Sequence, residues 1–505
     1  MGTRSISSTV TCAASSTSPS PSSSASSGTL PTVAIRMQRP IRTEGFCISV
    51  WFNTRESSIE SVLCSKKMNS EFEIKMMMLL LLSAASCPSP QGCCCCTGAC
   101  FYQDCPPCPC PAPPPGHPEP KCGLQTLQDS FTSKYAKLVA PSSALTPKDW
   151  PDKTHQSKTD KDAMVWGTSD GWRSGFFPGI LWQLGNASFS SGSQGTWRKA
   201  AAAWTAGREV EKTNTGTHDV GFMVYGSFGA GLTMGDLDAA TKKQYESIVV
   251  ETAHSLAVRW SPTVQMLRSW GSITDEKTFE VIIDNMCNLE LMWAASKISG
   301  NKTLATIAKA HAVKTAKYWL REDGSSPHLC KFSPTSGALE TPCTGTPQGY
   351  ANDSTWARGQ GWAVYGFTMA YRFTAEPSFL SHAIKFATFF LNATAKASVK
   401  SGSVMVPPWD FDLSIPTAEA FPDTSSAAIV ASALLELAQH TGDASWRDSA
   451  VAILSAIPGR ATAASGKSES VLAENQHDCA DAKCAVIESD HYLLEALRRL
   501  EMWKR

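Results

Sequence analysis

From Leu124 onward, apolar residues recur three and four positions apart and are interrupted by Gly, Pro, Ser and Asn. That spacing turns one face of each segment toward a core. It predicts twelve helices, over 125–140, 174–186, 195–208, 218–232, 238–258, 277–298, 302–320, 356–374, 377–396, 424–440, 444–457 and 489–501. In the sixth, Ile282, Met286, Leu289 and Trp293 form a stripe at steps of four, three and four. Tyr245, Val249, Thr252 and Leu256 repeat it in the fifth. Strand-like alternation is scarce, so this part reads as all-α. Twelve helices suit a toroid of paired helices in alternating inner and outer layers.

The first 123 residues have another character. Residues 1–30 hold 12 Ser and few large apolar side chains, so 1–75 reads as a disordered Ser-rich leader. Lys75 then precedes three Met, four Leu and the small residues Ser83-Ala84-Ala85-Ser86, which makes 76–87 a signal-peptide-like segment. It is too short for a transmembrane helix, which needs about 20 apolar residues. Its distance from Met1 suggests that translation starts at Met68 or Met76. Residues 88–123 form a Cys/Pro-rich linker, and 124–505 the helical domain. The spacing of Cys105 and Cys108 suits disulfide cross-linking or a tether better than a metal site.

Composition narrows the function classes. Lys and Arg number 45 against 45 Asp and Glu, which excludes a nucleic-acid binder relying on a global positive field. Thirteen of the 18 Cys lie at or before Cys122. Of the rest, Cys330 with Cys343 and Cys479 with Cys484 are spaced to close disulfides in an oxidising compartment, leaving Cys287 in a helix. Sequons begin at Asn186, Asn301, Asn352 and Asn392. With the signal-like segment they predict a secreted chain, without stable membrane insertion. There is no Gly-rich phosphate loop, zinc-spaced His pair or GxSxG elbow, so no metal or cofactor is expected.

Three clusters carry candidate chemistry. In His218-Asp219-Val220-Gly221-Phe222, Asp219 is either an N-cap or a functional carboxylate. Asp284, in Ile282-Ile283-Asp284-Asn285-Met286, interrupts an apolar helix where Asp has poor propensity. It faces either solvent or a polar cavity, where partial burial would suit it to donate protons; Asn288 follows one turn on. In 354–366, Arg358, Trp362 and Tyr365 share a helix face. A guanidinium beside aromatic rings suits an anionic sugar, although a core Trp with an extended Arg reads equally from the pattern. Trp172-Arg173-Ser174-Gly175-Phe176 adds an aromatic helix entry.

Together with Pro408-Trp409-Asp410-Phe411, Asp423-Thr424-Ser425-Ser426 and Asp490-His491-Tyr492-Leu493, these motifs resemble, in order, those of the unsaturated glucuronyl hydrolases. The resemblance runs from about Trp166 to Leu500. It implies an (α/α)6 toroid acting on lyase-generated oligosaccharides whose terminal uronic acid carries a C4=C5 double bond. It implies Asp284 as general acid/base and Asp219 as the second essential carboxylate. Trp172, Trp270, Gln348, Arg358 and Trp362 would line the substrate, with His218 beside Asp219 and His328 in a further subsite; Arg358 would recognise the uronate carboxylate. Pro347 stands where the family often has His, which bears on the preferred sugar. An unsaturated rhamnogalacturonyl hydrolase, a non-catalytic glycan binder on the same scaffold, and a metal-binding Cys-rich leader are the competing readings.

Overall fold

The computed structural model describes strands 32–38, 46–53 and 58–65 and residues 123–503, apart from 144, 161–162, 169–170, 187–192, 402–404, 414–421, 458–467 and 473–483. The chain divides into two compact units, Met1–Cys94 and Cys95–Arg505. In the first, strands β1 (Thr32–Gln38), β2 (Phe46–Asn53) and β3 (Ser58–Ser65) form an antiparallel meander. It lies within the leader expected to be disordered. The Ser count responsible for that expectation is concentrated upstream, whereas β2 is rich in aromatic and β-branched residues that favour strands. The signal-like segment 76–87 and residues 88–122 lie outside the described residues.

The second unit contains twelve helices among its described residues, one for each expected from the spacing. They are α1 (Gly123–Leu138), α2 (Phe176–Leu184), α3 (Gln194–Ala206), α4 (Gly221–Gly229, continued by Ala230–Met234), α5 (Ala239–Ala257), α6 (Asn285–Ser299), α7 (Lys302–Trp319), α8 (Ala357–Thr374), α9 (Pro377–Ser401), α10 (Thr424–Thr441), α11 (Ala444–Ala456) and α12 (Ile487–Trp503). The even-numbered helices pack in a closed ring, α2 to α4, α6, α8, α10, α12 and back to α2. Each odd-numbered helix backs an inner one, with α1 behind α12. This is the (α/α)6 toroid.

Burial separates the two layers. Every residue of α8 from Ala357 to Ala370 and of α10 from Thr424 to Ala438 is buried, the all-round apolar environment of an inner helix. Outer helices keep polar faces and conventional caps: Asp238 accepts from the amides of Ala240 and Thr241 to start α5, and Asn301 caps α7. Gly366 lets α8 approach α6, since a Cβ there would lie 2.6 Å from the Met286 Cβ.

Two elements depart from the expected pattern, and both carry candidate residues. After the short antiparallel pairs β4 (Pro151–Gln156) with β5 (Met164–Thr168) and β6 (Trp260–Ser261) with β7 (Met266–Leu267), the segment 277–298 begins as strand β8 (Phe279–Ile282), and α6 starts only after Asp284. Pairing of β8 with β9 (Leu329–Phe332) overrides the helical stripe, so Asp284 ends a strand and precedes a helix instead of interrupting one. Gly221–Gly229 is π-helical, a rare conformation that recurs at functional sites.

Partway along α6 and α12 and toward the C-terminal ends of α8 and α10, a charged cluster ties these inner helices together. Arg372 meets Glu290 at 2.8 Å and Glu436 at 3.2 Å, while Arg499 meets Glu436 at 2.8 Å and Glu495 at 3.4 Å. Burial alone would raise the Glu436 carboxyl, but Arg499 and Arg372 outweigh it and pull it down to about 2.

His311, buried in α7, accepts the Leu267 amide on Nδ1 at 3.0 Å. Burial, aided by His218, lowers its pKa from 6.5 to about 3. The unfolded chain therefore takes up a proton below 6.5 that the folded chain refuses until about 3. His311 contributes a stability term that is intact above 6.5 and lost as pH falls through that window. In His311→Gln, unfolding midpoints measured between pH 6.5 and 4 should vary less steeply with pH than in the parent, by up to about 1.4 kcal/mol per unit. An unchanged slope would refute this.

Candidate active site

The β8–β9 pairing builds the centre of the site. Ile282 lies opposite Leu329, and the Ile283 amide donates to the His328 carbonyl at 3.0 Å. This register sets Asp284, one residue on, beside the His328 ring, with Oδ2 and Nε2 3.3 Å apart. The atoms are close without being aligned for a hydrogen bond. Asp284 is 9% exposed and does not cap α6 with its side chain. Of the alternatives left by sequence, it therefore lies in a largely enclosed polar setting, not on an open surface. His328 is packed edge-on by Trp356 at 5.0 Å and by Trp270 at 5.8 Å, the latter half-buried.

Asp219 stands immediately before α4, but its carboxylate does not cap the helix. Oδ2 instead accepts the Thr217 hydroxyl at 2.7 Å, and Oδ1 lies 3.2 Å from Nε2 of the buried His218. Asn288 connects this segment to Asp284. Its Oδ1 accepts the Phe222 amide at 2.8 Å, and its Nδ2 donates to the Asp284 carbonyl at 3.4 Å. The contact requires glycine at 221, because a Cβ there would sit 2.5 Å from Asn288 Oδ1 and 2.7 Å from its Cα.

Gln348 enters on another loop. Thr344 pairs with Leu329 in both directions and accepts the His328 amide, and the Cys330–Cys343 disulfide fastens the same segment to β9. Farther along, Asp410 accepts the Tyr350 amide and the Ser354 hydroxyl. Of the second disulfide expected from sequence, Cys479 lies outside the described residues, and Cys484 is disulfide-bonded. Cys287 is free and buried, as expected.

Trp172 is half-buried against Phe176 and Phe222, with the Arg173 guanidinium 4.4 Å from its ring centre. Arg358 and Trp362 are more deeply buried than Trp172. Arg358 is 2% exposed and faces Glu488 at 3.7 Å and the Ser425 hydroxyl at 3.2 Å. Its charge also opposes the burial that raises the Asp423 carboxyl. Trp362 is fully buried between Phe222 and Tyr492, where aromatic packing suffices to explain it, and its indole N–H alone has no protein partner.

Glu488 was not anticipated. It takes Arg173 through both carboxylate oxygens, at 2.7 and 3.1 Å, and thereby joins the first motif to the last. Its signal was the acidic first turn of α12, which also contains Asp490.

The motifs thus gather at the N-terminal ends of all six inner helices, joined through Asn288, Glu488 and Arg358. No protein-family model matches the chain. It is 38% identical over 338 residues to an unsaturated glucuronyl hydrolase of Formosa agariphila, a match covering 66% of this chain and 80% of the relative. The chain belongs to the unsaturated glucuronyl hydrolases. It is therefore a glycoside hydrolase. A second family member, from Bacillus sp. (strain GL1), is 30% identical over 345 residues, covering 65% of this chain and 86% of the relative. The crystal structure of an unsaturated glucuronyl hydrolase specific for heparin superposes with a TM-score of 0.64 at 29% identity, over 75% of this chain and 98% of that one.

Asn288→Ala removes the link between the two aspartate segments and strands the buried Phe222 amide, a loss of about 1–3 kcal/mol. Urea unfolding should show that loss, and turnover should fall with it. A variant as stable and active as the parent would show that the two segments do not depend on Asn288.

Proposed function

We propose that the enzyme releases the terminal 4,5-unsaturated uronic acid from oligosaccharides by hydrating its C4=C5 bond, with Asp284 as general acid/base. The supporting observation is a set of buried polar atoms with no partner inside the protein: Asp284 Oδ2, both ring nitrogens of His218 and of His328, Gln348 Oε1 and the Trp362 indole nitrogen. Folded proteins rarely leave such atoms unmatched, and a sugar ring can supply both donors and acceptors. Six inner-helix N-termini also bring the positive ends of their dipoles to this side of the toroid, which favours an anionic substrate.

The chemistry needs one mobile proton. The unsaturated ring is a vinyl ether, so proton transfer from Asp284 to C4 leaves an oxocarbenium ion shared between C5 and the ring oxygen. Water adds at C5, and the Asp284 carboxylate takes its proton, which restores the acid. The C5 hemiketal then opens and rearranges, expelling the aglycone sugar. Because no displacement occurs at C1, carboxylate separation carries no information about retention or inversion. Asp219, held by Thr217 beside His218, is the second carboxylate. Trp172, Trp270, His328 and Gln348 are the substrate-contacting candidates, and the buried Trp362 N–H is a further donor.

Relatives differ in substrate: one from Streptococcus pyogenes, 28% identical over 257 residues, is an unsaturated chondroitin disaccharide hydrolase. A solved glucuronyl hydrolase at 25% identity and TM-score 0.63 is paired with dGlcA-Glc-Rha-Glc. For this chain the substrate class is an unsaturated uronyl oligosaccharide, with Pro347 bearing on the aglycone. We further propose that the protein is exported, since the Cys330–Cys343 disulfide suits an oxidising compartment.

Loss of near-ultraviolet absorbance from the conjugated acid should follow addition of the enzyme to lyase-generated disaccharides. Asp284→Asn should slow that decay at least about a hundredfold while remaining folded. Full turnover by the variant would remove Asp284 from its role. Consumption of unsaturated galacturonyl-rhamnose alone would reassign the aglycone.

A further inference from the structure

Arg259 follows the C-terminal end of outer helix α5 and is 2% exposed. Four backbone carbonyls hold its guanidinium. Nε donates to Arg268 at 2.8 Å, Nη1 to Thr215 at 2.7 Å, and Nη2 to Ser269 and Gly271, each at 3.1 Å. Its hydrogen-bond acceptors are backbone oxygens, and the carboxylate that acts on its charge is that of Asp219. Burying a guanidinium without direct carboxylate contact is costly, so a position that does so has a geometric reason for the fork.

The four acceptors belong to the two loops that deliver the active-site groups. Thr215 begins the turn in which the Thr217 hydroxyl fixes Asp219. Residues 268–271 carry Trp270, which packs on His328. The same loop grips the Asp284 segment: the Ser269 hydroxyl accepts the Ile282 amide at 3.0 Å and faces Asn285 Nδ2 at 3.4 Å, and Asn285 also donates to the Leu267 carbonyl at 3.0 Å. One planar fork therefore spans the Asp219 loop and the loop that fixes Asp284 and Trp270. We propose that Arg259 is a positioning residue for the hydration reaction, setting the Asp219 and Asp284 segments in register through these four carbonyls. This rests on the function proposed above. Lysine offers a charge without the fork and cannot reach the same four oxygens.

The test compares the parent with Arg259→Lys and Arg259→Ala in the full chain, on a lyase-generated unsaturated disaccharide, with amide hydrogen exchange measured in parallel. Arg259→Lys should fold, lose at least tenfold in kcat and change KM less than threefold. Exchange should accelerate in 215–219 and 268–271 together while the inner helices stay protected. Millimolar guanidinium should restore part of the activity of Arg259→Ala. Parent-like kcat in Arg259→Lys, a loss confined to KM, or exchange rising in one loop alone would each overturn the proposal. If Arg259→Ala does not fold, the Lys variant decides the matter. If the parent consumes no unsaturated disaccharide, the function assigned to the site fails, while the exchange comparison still tests whether Arg259 couples the loops.

Discussion

A buried chain of charge, Arg173 to Glu488 to Arg358, ties inner helices of the toroid together at their N-terminal ends. Glu488 lies on α12, and its two arginines precede α2 and begin α8, while Arg358 reaches on to Ser425 at the start of α10. Four of the six inner helices are tied at their N-termini by this one set of contacts. Removing one partner from such a set leaves an uncompensated charge in the interior and costs about 3–5 kcal/mol. Replacing the whole set with apolar groups need not cost anything, so its value here is geometric. It fixes where these four inner helices begin.

Asp423 and Asp410 extend the same construction. Asp423 accepts the Ser425 and Ser426 amides at the start of α10, although burial raises its carboxyl pKa. Asp410 holds the loop carrying Tyr350 and Ser354, where burial again raises the carboxyl against three local hydrogen bonds. Both belong to motifs that mark the family, yet both serve the protein's own backbone. His218, His328 and Gln348 carry buried polar atoms without a hydrogen-bond partner, as Asp423 does at Oδ2.

The two aspartates reach the site by different routes. Asp219 comes from a turn before a π-helical segment, and Asp284 from a two-stranded ladder that ends as an inner helix begins. Segments outside the inner helices therefore set the positions of both. Farther along the inner helices, Arg372, Arg499, Glu290 and Glu436 tie α6, α8, α10 and α12 to one another.

Helical spacing sufficed to mark all twelve helices, because alternate layers of a toroid still bury a face of every helix. The ordered motifs sufficed for the family, and they named His218, Asp219 and Asp284, which precede neighbouring inner helices, and His328, which a strand sets beside Asp284. Three things were not legible. Strand β8 carries an apolar stripe compatible with a helix, and only its partner β9, far along the chain, makes it a strand. Arg358 and Trp362 share a helix face in any reading, but that Arg358 there faces Glu488, more than a hundred residues away, is not written in that spacing. Arg259 has no motif at all, since its partners are carbonyls and carbonyls leave no trace in side-chain identity. Local periodicity and residue chemistry are properties of the chain itself. Burial, pairing and the orientation of a charge arise only when distant segments meet, and the tertiary structure alone decided them.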